Sequence, residues 1–217
     1  DAPLSYLILR GFDLMRIMTR NWNDEPERAS RPFSKDRSGF VIAEGGWFFT
    51  LEDYDRARAR GAKIYGEVVG YGATSDGADM VAPSGEGGVR CMQMALKNVE
   101  GPVDYINAHA TSTPAGDRSE AKAFETTFTN VGATPRISST KGLTGHPLSM
   151  AGVMEAAFCS LAIQEKFIPG NHHLQTPDEA CAGLDLPRVT LDEAPQTVLS
   201  TSSGFGGSNV GLIFRQG

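Results

Sequence analysis

The second half of the chain alternates between two kinds of segment, and that alternation limits the folds open to it. VDYINAHA (103–110) is an apolar run of strand length, and DRSEAKAFETTF (117–128) has a helical period. RISST (136–140) reads as a strand again, and SMAGVMEAAFCSLAIQEK (149–166) as a long helix with apolar side chains over most of its surface. Strand, helix, strand, helix predicts an α/β domain. TVLSTSS (197–203) and NVGLIFR (209–215), on either side of GFGGS, predict a closing pair of strands with a tight turn.

Upstream the pattern is less regular. PLSYLILRGFDLMRIMTR (3–20) spaces apolar residues by three and four and predicts a helix with a broad buried face, ended by NWNDEPERASRPFSKDRSG. GFVIAEGG and WFFTL are two short apolar runs, and EDYDRARARGAK is a short exposed helix whose Arg56, Arg58 and Arg60 form a solvated face. KIYGEVVGYG alternates as a strand, ATSDGADMVAPSGEGG is a long loop, and GVRCMQMALKNV resumes a helical period. Met92, Met94 and Met154 read as helix core.

Composition excludes several classes. With 217 residues, 40% hydrophobic and 21% charged, the chain is globular rather than disordered. A net charge of −6 argues against nucleic acid as a partner, since phosphate binding needs a basic face. No apolar run approaches the roughly 20 residues of a membrane-spanning helix. Cys91, Cys159 and Cys181 are odd in number and contain no CxxC pair, which indicates neither a disulfide framework nor a zinc module and fits a reducing, cytoplasmic compartment. His172 and His173 have no Cys or acidic neighbour at ligand spacing, so no metal is expected. The chain begins at Asp1 rather than Met, and that end reads as processed or truncated.

Reactive groups gather directly after three strands. His109 follows VDYINA, Lys141 and His146 follow RISST, and SGFGGS follows TVLST. Sites in α/β sheets form at the carboxyl ends of strands, so the three loops are expected to share one edge. A lone histidine is more often structural, but two in matching topological positions, flanked by Thr, Ser and Gly, favour a site. Gly204, Gly206 and Gly207 allow the main chain to approach a ligand and aim its N–H groups inward, although a plain hairpin turn has the same composition.

NAHATSTPAGD, STKGLTGH and SSGFGGSN resemble the histidine, lysine–histidine and glycine-rich motifs of the β-ketoacyl-(acyl-carrier-protein) synthases I and II, thiolase-fold condensing enzymes. GYGATSDGADMVAPSGEG and SRPFSKDRSGFVIAEGG are similar to the same family, nearest synthase I. The resemblance implies a thiolase-like fold of which this chain is mainly the C-terminal half of a duplicated α/β/α/β/α architecture. Residues 1–60 would be the end of the N-terminal half and a connecting segment, and 61–217 the C-terminal domain. The nucleophilic cysteine would lie outside the chain, because none of the three cysteines here sits in its setting.

The implied reaction is decarboxylative Claisen condensation of an acyl thioester with malonyl carried on acyl carrier protein, in fatty acid elongation and without a cofactor. The resemblance makes His109 and His146 neutral hydrogen-bond donors to the malonyl thioester oxygen. It places Lys141 in a polar network orienting His109, and Asp117, Glu120 and Glu155 near Lys141 or a monovalent cation. Thr111 and Thr113 would bind the pantetheine arm, Phe205 would lend its backbone N–H to an oxyanion hole, and Ser203, Gly204 and Gly206 would meet the acyl substrate. Arg20, with Lys35 or Arg37, would meet the carrier protein. A homodimer and an N-terminal half are the other implied partners. Three departures stand out: Ala110 for glycine, Thr201 where Asn is common, which puts a cation site in doubt, and Ser203 where a gating phenylalanine is usual. A polyketide-type ketosynthase, its non-catalytic chain-length partner, a degradative thiolase and a carrier-protein-binding scaffold are the alternatives.

Overall fold

The computed structural model describes residues 1–129 and 134–217. Among the described residues six α-helices, α1 (Tyr6–Leu14), α2 (Tyr54–Ala59), α3 (Glu86–Leu96), α4 (Pro114–Phe128), α5 (Lys141–Thr144) and α6 (Ala151–Glu165), accompany five strands. The strands β1 (Glu67–Ser75), β2 (Tyr105–Asn107), β3 (Arg136–Ser138), β4 (Thr197–Gly204) and β5 (Ser208–Arg215) form one sheet in the order β1-β5-β4-β2-β3. β2 runs parallel to β3 and to β4, while β5 is antiparallel to β4 and to β1.

The sheet is covered on both faces because successive residues of a strand point to opposite sides. Ile106, Leu199 and Ile213 join Met92, Ala95, Phe124 and Phe128 in the core beneath α3 and α4. Their strand neighbours Tyr105, Val198 and Phe214 face the other way, against Ala156, Cys159, Ala162 and Ile163 of α6. The topology requires this. β3 and β4 flank β2 on opposite sides, so crossovers of one hand place α4 on one face and α6 on the other. The chains leaving β2 and β3 therefore turn to opposite faces, and between two such strands an α/β sheet opens a crevice at its carboxyl edge.

Local details set the layer contacts. α3 lies directly on β1 because Gly72 has no side chain: a Cβ there would stand 2.1 Å from the Cys91 carbonyl oxygen. The long loop begins later than the sequence suggests, since β1 continues through Ala73, Thr74 and Ser75 to pair with β5. The VDYINAHA strand is short, with only Tyr105–Asn107 in the ladder. Met94 is 50% exposed and not core, unlike the buried Met92 and Met154.

The first helix departs most from expectation. It spans Tyr6–Leu14 rather than 3–20, ending before Arg16, whose φ of 57° breaks the helical path. None of its residues is buried, and Tyr6 and Leu7 are 78% and 80% exposed. Its apolar side has little of the described chain to pack on. WFFTL forms no strand, and Phe48 and Leu51 are 94% and 81% exposed. No helix among the described residues is long and apolar enough to cross a membrane.

Candidate active site

The parallel register brings the last residues of β2 and β3, Asn107 and Ser138, level with Ser200 of β4, which runs on along the same edge to Gly204. Each strand therefore delivers its following loop to the same edge. His109 stands two residues past β2. β3 passes through Ser139 and Thr140 into α5, whose first residue is Lys141. α5 stops after one turn at Gly145, whose φ is 68° and whose Cβ would lie 2.8 Å from the Val41 carbonyl oxygen. His146 is then fixed by its backbone, donating to the Val41 carbonyl at 2.7 Å and accepting from the Ala43 N–H at 3.0 Å.

These placements bring the two imidazoles together, edge to face, with centroids 5.2 Å apart. Burial pushes the His109 imidazole well below its usual range, and the positive charge of Lys141 and the nearby His146 act in the same direction. Burial, followed by Lys141, lowers His146 to about 3. Both rings are therefore neutral at physiological pH. A neutral imidazole keeps one N–H donor that can stabilise a developing oxyanion without giving up its proton. Neither Nδ1 has a hydrogen-bond partner among the described residues.

Lys141 is completely buried, and its ammonium contacts the carboxylate of the equally buried Glu155 on α6. Burial raises Glu155 to about 7, with the Lys141 charge pulling the other way. Glu155 therefore lies in the buried interior and not on a solvated face of α6. Glu120, on α4, bridges the histidine loop: it accepts from the His109 N–H at 2.9 Å and the Ala110 N–H at 2.7 Å. Burial raises its carboxyl too, opposed first by the Thr201 hydroxyl.

Asp117 does not join this group. Its carboxylate accepts from the Phe33 N–H at 2.8 Å and lies 3.3 Å from Arg37 Nε, away from Lys141, because the first turn of α4 faces the 30–39 segment. The Arg37 side chain is 1% exposed and paired with Asp178, so it is unavailable to a carrier protein. Arg20 and Lys35 are on the surface, paired with Asp13 and Glu179.

Thr111 and Thr113 place their hydroxyl oxygens 3.2 Å apart beside His109. Gly204 closes β4 opposite Ser208, leaving Phe205, Gly206 and Gly207 as the turn, with Phe205 51% exposed. The Gly206 N–H is held by the Met80 carbonyl at 2.8 Å. Ser203 donates to Asn209 Oδ1 at 3.0 Å. A run of ring contacts joins this turn to the histidines: Phe205 to Phe12 at 6.3 Å, Phe12 to Phe40 at 5.4 Å, and Phe40 to His146 at 5.5 Å.

Phe40 was not among the residues the sequence singled out, although its edge-to-face ring abuts His146. Its position in GFVIA reads as ordinary core, and only the GFVIAEGG motif itself marked the segment. The Thr201 hydroxyl, which donates to Glu120 at 2.7 Å, was equally unmarked as its partner. Cys91, Cys159 and Cys181 are all buried free thiols, and burial raises each of them, Cys91 to about 11 and Cys181 to about 12. Such thiols are poor nucleophiles. Among the described residues no three His, Cys, Asp or Glu side chains converge as a metal-binding group.

Comparison with known proteins adds the family. Residues 65–175 match the model of the beta-ketoacyl synthase C-terminal domain. The chain is 50% identical over 205 residues to 3-oxoacyl-(acyl-carrier-protein) synthase 1 of Escherichia coli, covering 94% of this chain and 50% of that protein. A solved complex of a type II PKS acyl-carrier protein with its ketosynthase bound to the hexaketide superposes with a TM-score of 0.94 at 32% identity, covering 100% of this chain and 54% of that one. A beta-ketoacyl synthase from Burkholderia phymatum gives 0.89 at 35% identity, over 99% and 52%. The chain thus spans about half the length of the relatives it matches. Its sheet follows the thiolase-like condensing-enzyme architecture of these structures. With the family model covering half of the sequence and both histidines on the expected edge, this chain belongs to the β-ketoacyl synthases, as their C-terminal domain.

Proposed function

We propose that the chain supplies the enolate-stabilising half of a β-ketoacyl-(acyl-carrier-protein) synthase. The observation that carries this reading is the neutral His109–His146 pair at the carboxyl edge of β2 and β3. In the reaction, the bond between the malonyl carboxylate and Cα breaks, CO2 leaves, and the electron pair is held as an enolate. The carbanion then attacks the carbonyl carbon of an acyl thioester and expels a thiolate. Two imidazole N–H donors converging on the malonyl thioester oxygen would carry the enolate charge, and a preorganised donor of this type contributes on the order of 3 kcal/mol.

The remaining residues divide the work. Lys141 and Glu155 form a rigid buried base behind the histidines, and Glu120 fixes the His109 main chain. Thr111 and Thr113 bind the pantetheine arm, and the Phe205 N–H serves the oxyanion of the acyl thioester. Ser203, Gly204 and Gly206 border the acyl chain, and Arg20 meets the acidic carrier protein. The nucleophilic cysteine belongs to the other half, which would cover the exposed apolar surface of α1 and WFFTL. Residues 1–60 contribute no strand to the sheet, which supports dividing the chain near residue 60. A cytoplasmic homodimer acting in fatty acid elongation completes the reading. The 50% identity to a fatty-acid-type synthase, against 32% to the type II PKS ketosynthase, favours this over a polyketide role.

The test is decarboxylation in the full-length protein. His109→Ala and His146→Ala should each remove most malonyl decarboxylation while sparing acyl transfer to the nucleophile, and their combination should be less than additive. Near-normal condensation without His109 would overturn the assignment.

A further inference from the structure

The buried Arg37 side chain turns its donors onto the framework of the site. Its Nε donates to the Thr113 carbonyl at 3.1 Å and its Nη2 to the Pro114 carbonyl at 2.8 Å. Its Nη1 donates to the Ser34 carbonyl and to Asp178 Oδ2, both at 2.8 Å. Asp117 Oδ2 lies 3.3 Å from Nε, so two acidic side chains flank one buried guanidinium, and Arg118 supplies a second cation to Asp178 at 3.0 Å.

The loop that Arg37 grips has an unusual backbone. Ser112, between the two threonines, is fully buried with φ at 72°, a conformation that a side-chain-bearing residue keeps only when its surroundings impose it. Its carbonyl accepts from the Gly39 N–H at 3.0 Å and its hydroxyl from the Arg31 N–H at 3.1 Å. The turn at Ser112 is what sets the Thr111 and Thr113 hydroxyls 3.2 Å apart. The 30–39 segment thus holds this loop on three successive residues, and Arg37 holds its far end.

We infer that Arg37 is a positioning residue for the thioester arm: its forked donors clamp the Thr113 and Pro114 carbonyls, hold Ser112 in its left-handed turn, and so keep the Thr111 and Thr113 hydroxyls paired for the ligand. The inference rests on the proposed role of the two threonines. Arginine is required because a planar fork reaches two carbonyls and a carboxylate at once, whereas a lysine ammonium is a single point.

The experiment compares Arg37→Gln and Arg37→Lys in the full-length synthase, using carrier-protein-bound and short pantetheine thioesters as substrates. KM should rise about tenfold for both substrate types with kcat within about twofold, since binding geometry and not chemistry is lost. Arg20→Glu, by contrast, should raise KM only for the carrier-bound substrate. Combining Arg37→Lys with Thr111→Ala and Thr113→Ala should raise KM no further than the threonine changes alone. Arg37→Lys keeps a cation between Asp117 and Asp178, so it carries the test if the glutamine variant does not fold. A fall in kcat or in folded fraction at unchanged KM, or fully additive effects, would overturn the inference. If the threonine changes themselves leave KM unaltered, the arm-binding role fails and the inference with it. An effect at the threonines with none at Arg37 removes the inference alone.

Discussion

The Thr201 hydroxyl donates to Glu120 Oε1 at 2.7 Å and accepts from the His109 N–H at 3.3 Å, tying β4 and α4 to the loop that follows β2. The Thr201 hydroxyl is thus committed to a carboxylate that already orients the histidine loop. Thr201→Val, close in shape but without a donor, should therefore destabilise the protein by about 1–3 kcal/mol. Chemical denaturation measures this. A change under about 0.5 kcal/mol, the size of an ordinary surface substitution, would show that the backbone donors alone satisfy Glu120.

His146 and His109 should stay neutral well into acid. An unfolded histidine titrates near 6.5, and the folded His146 near 3, so between those values the unfolded chain binds more protons. The stability that His146 contributes is fully present above 6.5 and declines as pH falls toward 3, and the His109 contribution declines in the same direction. Glu155 works the other way: folded near 7 against 4.5 unfolded, its contribution is full below 4.5 and declines as pH rises through 7. Nitrogen NMR shifts of labelled histidine report the imidazoles directly. At pH 5 both should remain neutral, and a midpoint near 6.5 for either would contradict the burial argument.

Lys141 and Glu155 should show the asymmetry of a buried ion pair. Without the Lys141 charge, burial drives Glu155 further up and leaves a protonated carboxyl with no partner, so Lys141→Met alone should cost about 1–3 kcal/mol. Adding Glu155→Met removes the unpartnered carboxyl and should recover most of that loss, although activity should not return. Denaturation of the two variants and the parent in one buffer checks this. Equal instability of single and double variants would mean that the pair is held by its hydrogen bonds to the surroundings and not by mutual neutralisation.

Ser203 should widen the range of acyl chains. Its hydroxyl bonds Asn209, whose Nδ2 reaches Asp76 Oδ1 and the Gly207 carbonyl, both at 3.0 Å, so a small polar side chain is part of the turn's own network. An aromatic side chain buries about 150–250 Å², the area of a short acyl segment. Ser203→Phe should therefore lower kcat/KM for long or branched acyl substrates relative to short ones, measured across a series of carrier-bound chains. An unchanged profile would remove position 203 from the acyl pocket.

The α/β alternation and the chemistry-bearing loops were legible in the sequence because both are local. Strand and helix periods repeat within a dozen residues, and NAHATSTPAGD, STKGLTGH and SSGFGGSN each hold their reactive groups in one contiguous stretch. From the order of the elements followed the shared edge on which His109, His146 and the GFGG turn lie. What the sequence did not determine depends on which distant side chains meet. The apolar spacing of α1 marks a face to be covered, but nothing within the helix specifies what covers it, and in this chain that face is exposed. Asp117 and Glu120 stand three residues apart on α4, yet one turns to Arg37 and the other to His109 and Thr201. Arg37 reads as a surface cation in SKDRSG, and only the packing of that segment against α4 and the 171–181 loop buries it. The contacts of Asp178 with Arg118 and Arg37 join residues that sequence separates by 60 and 141 positions, and their geometry is set by the fold, which no single stretch of sequence contains.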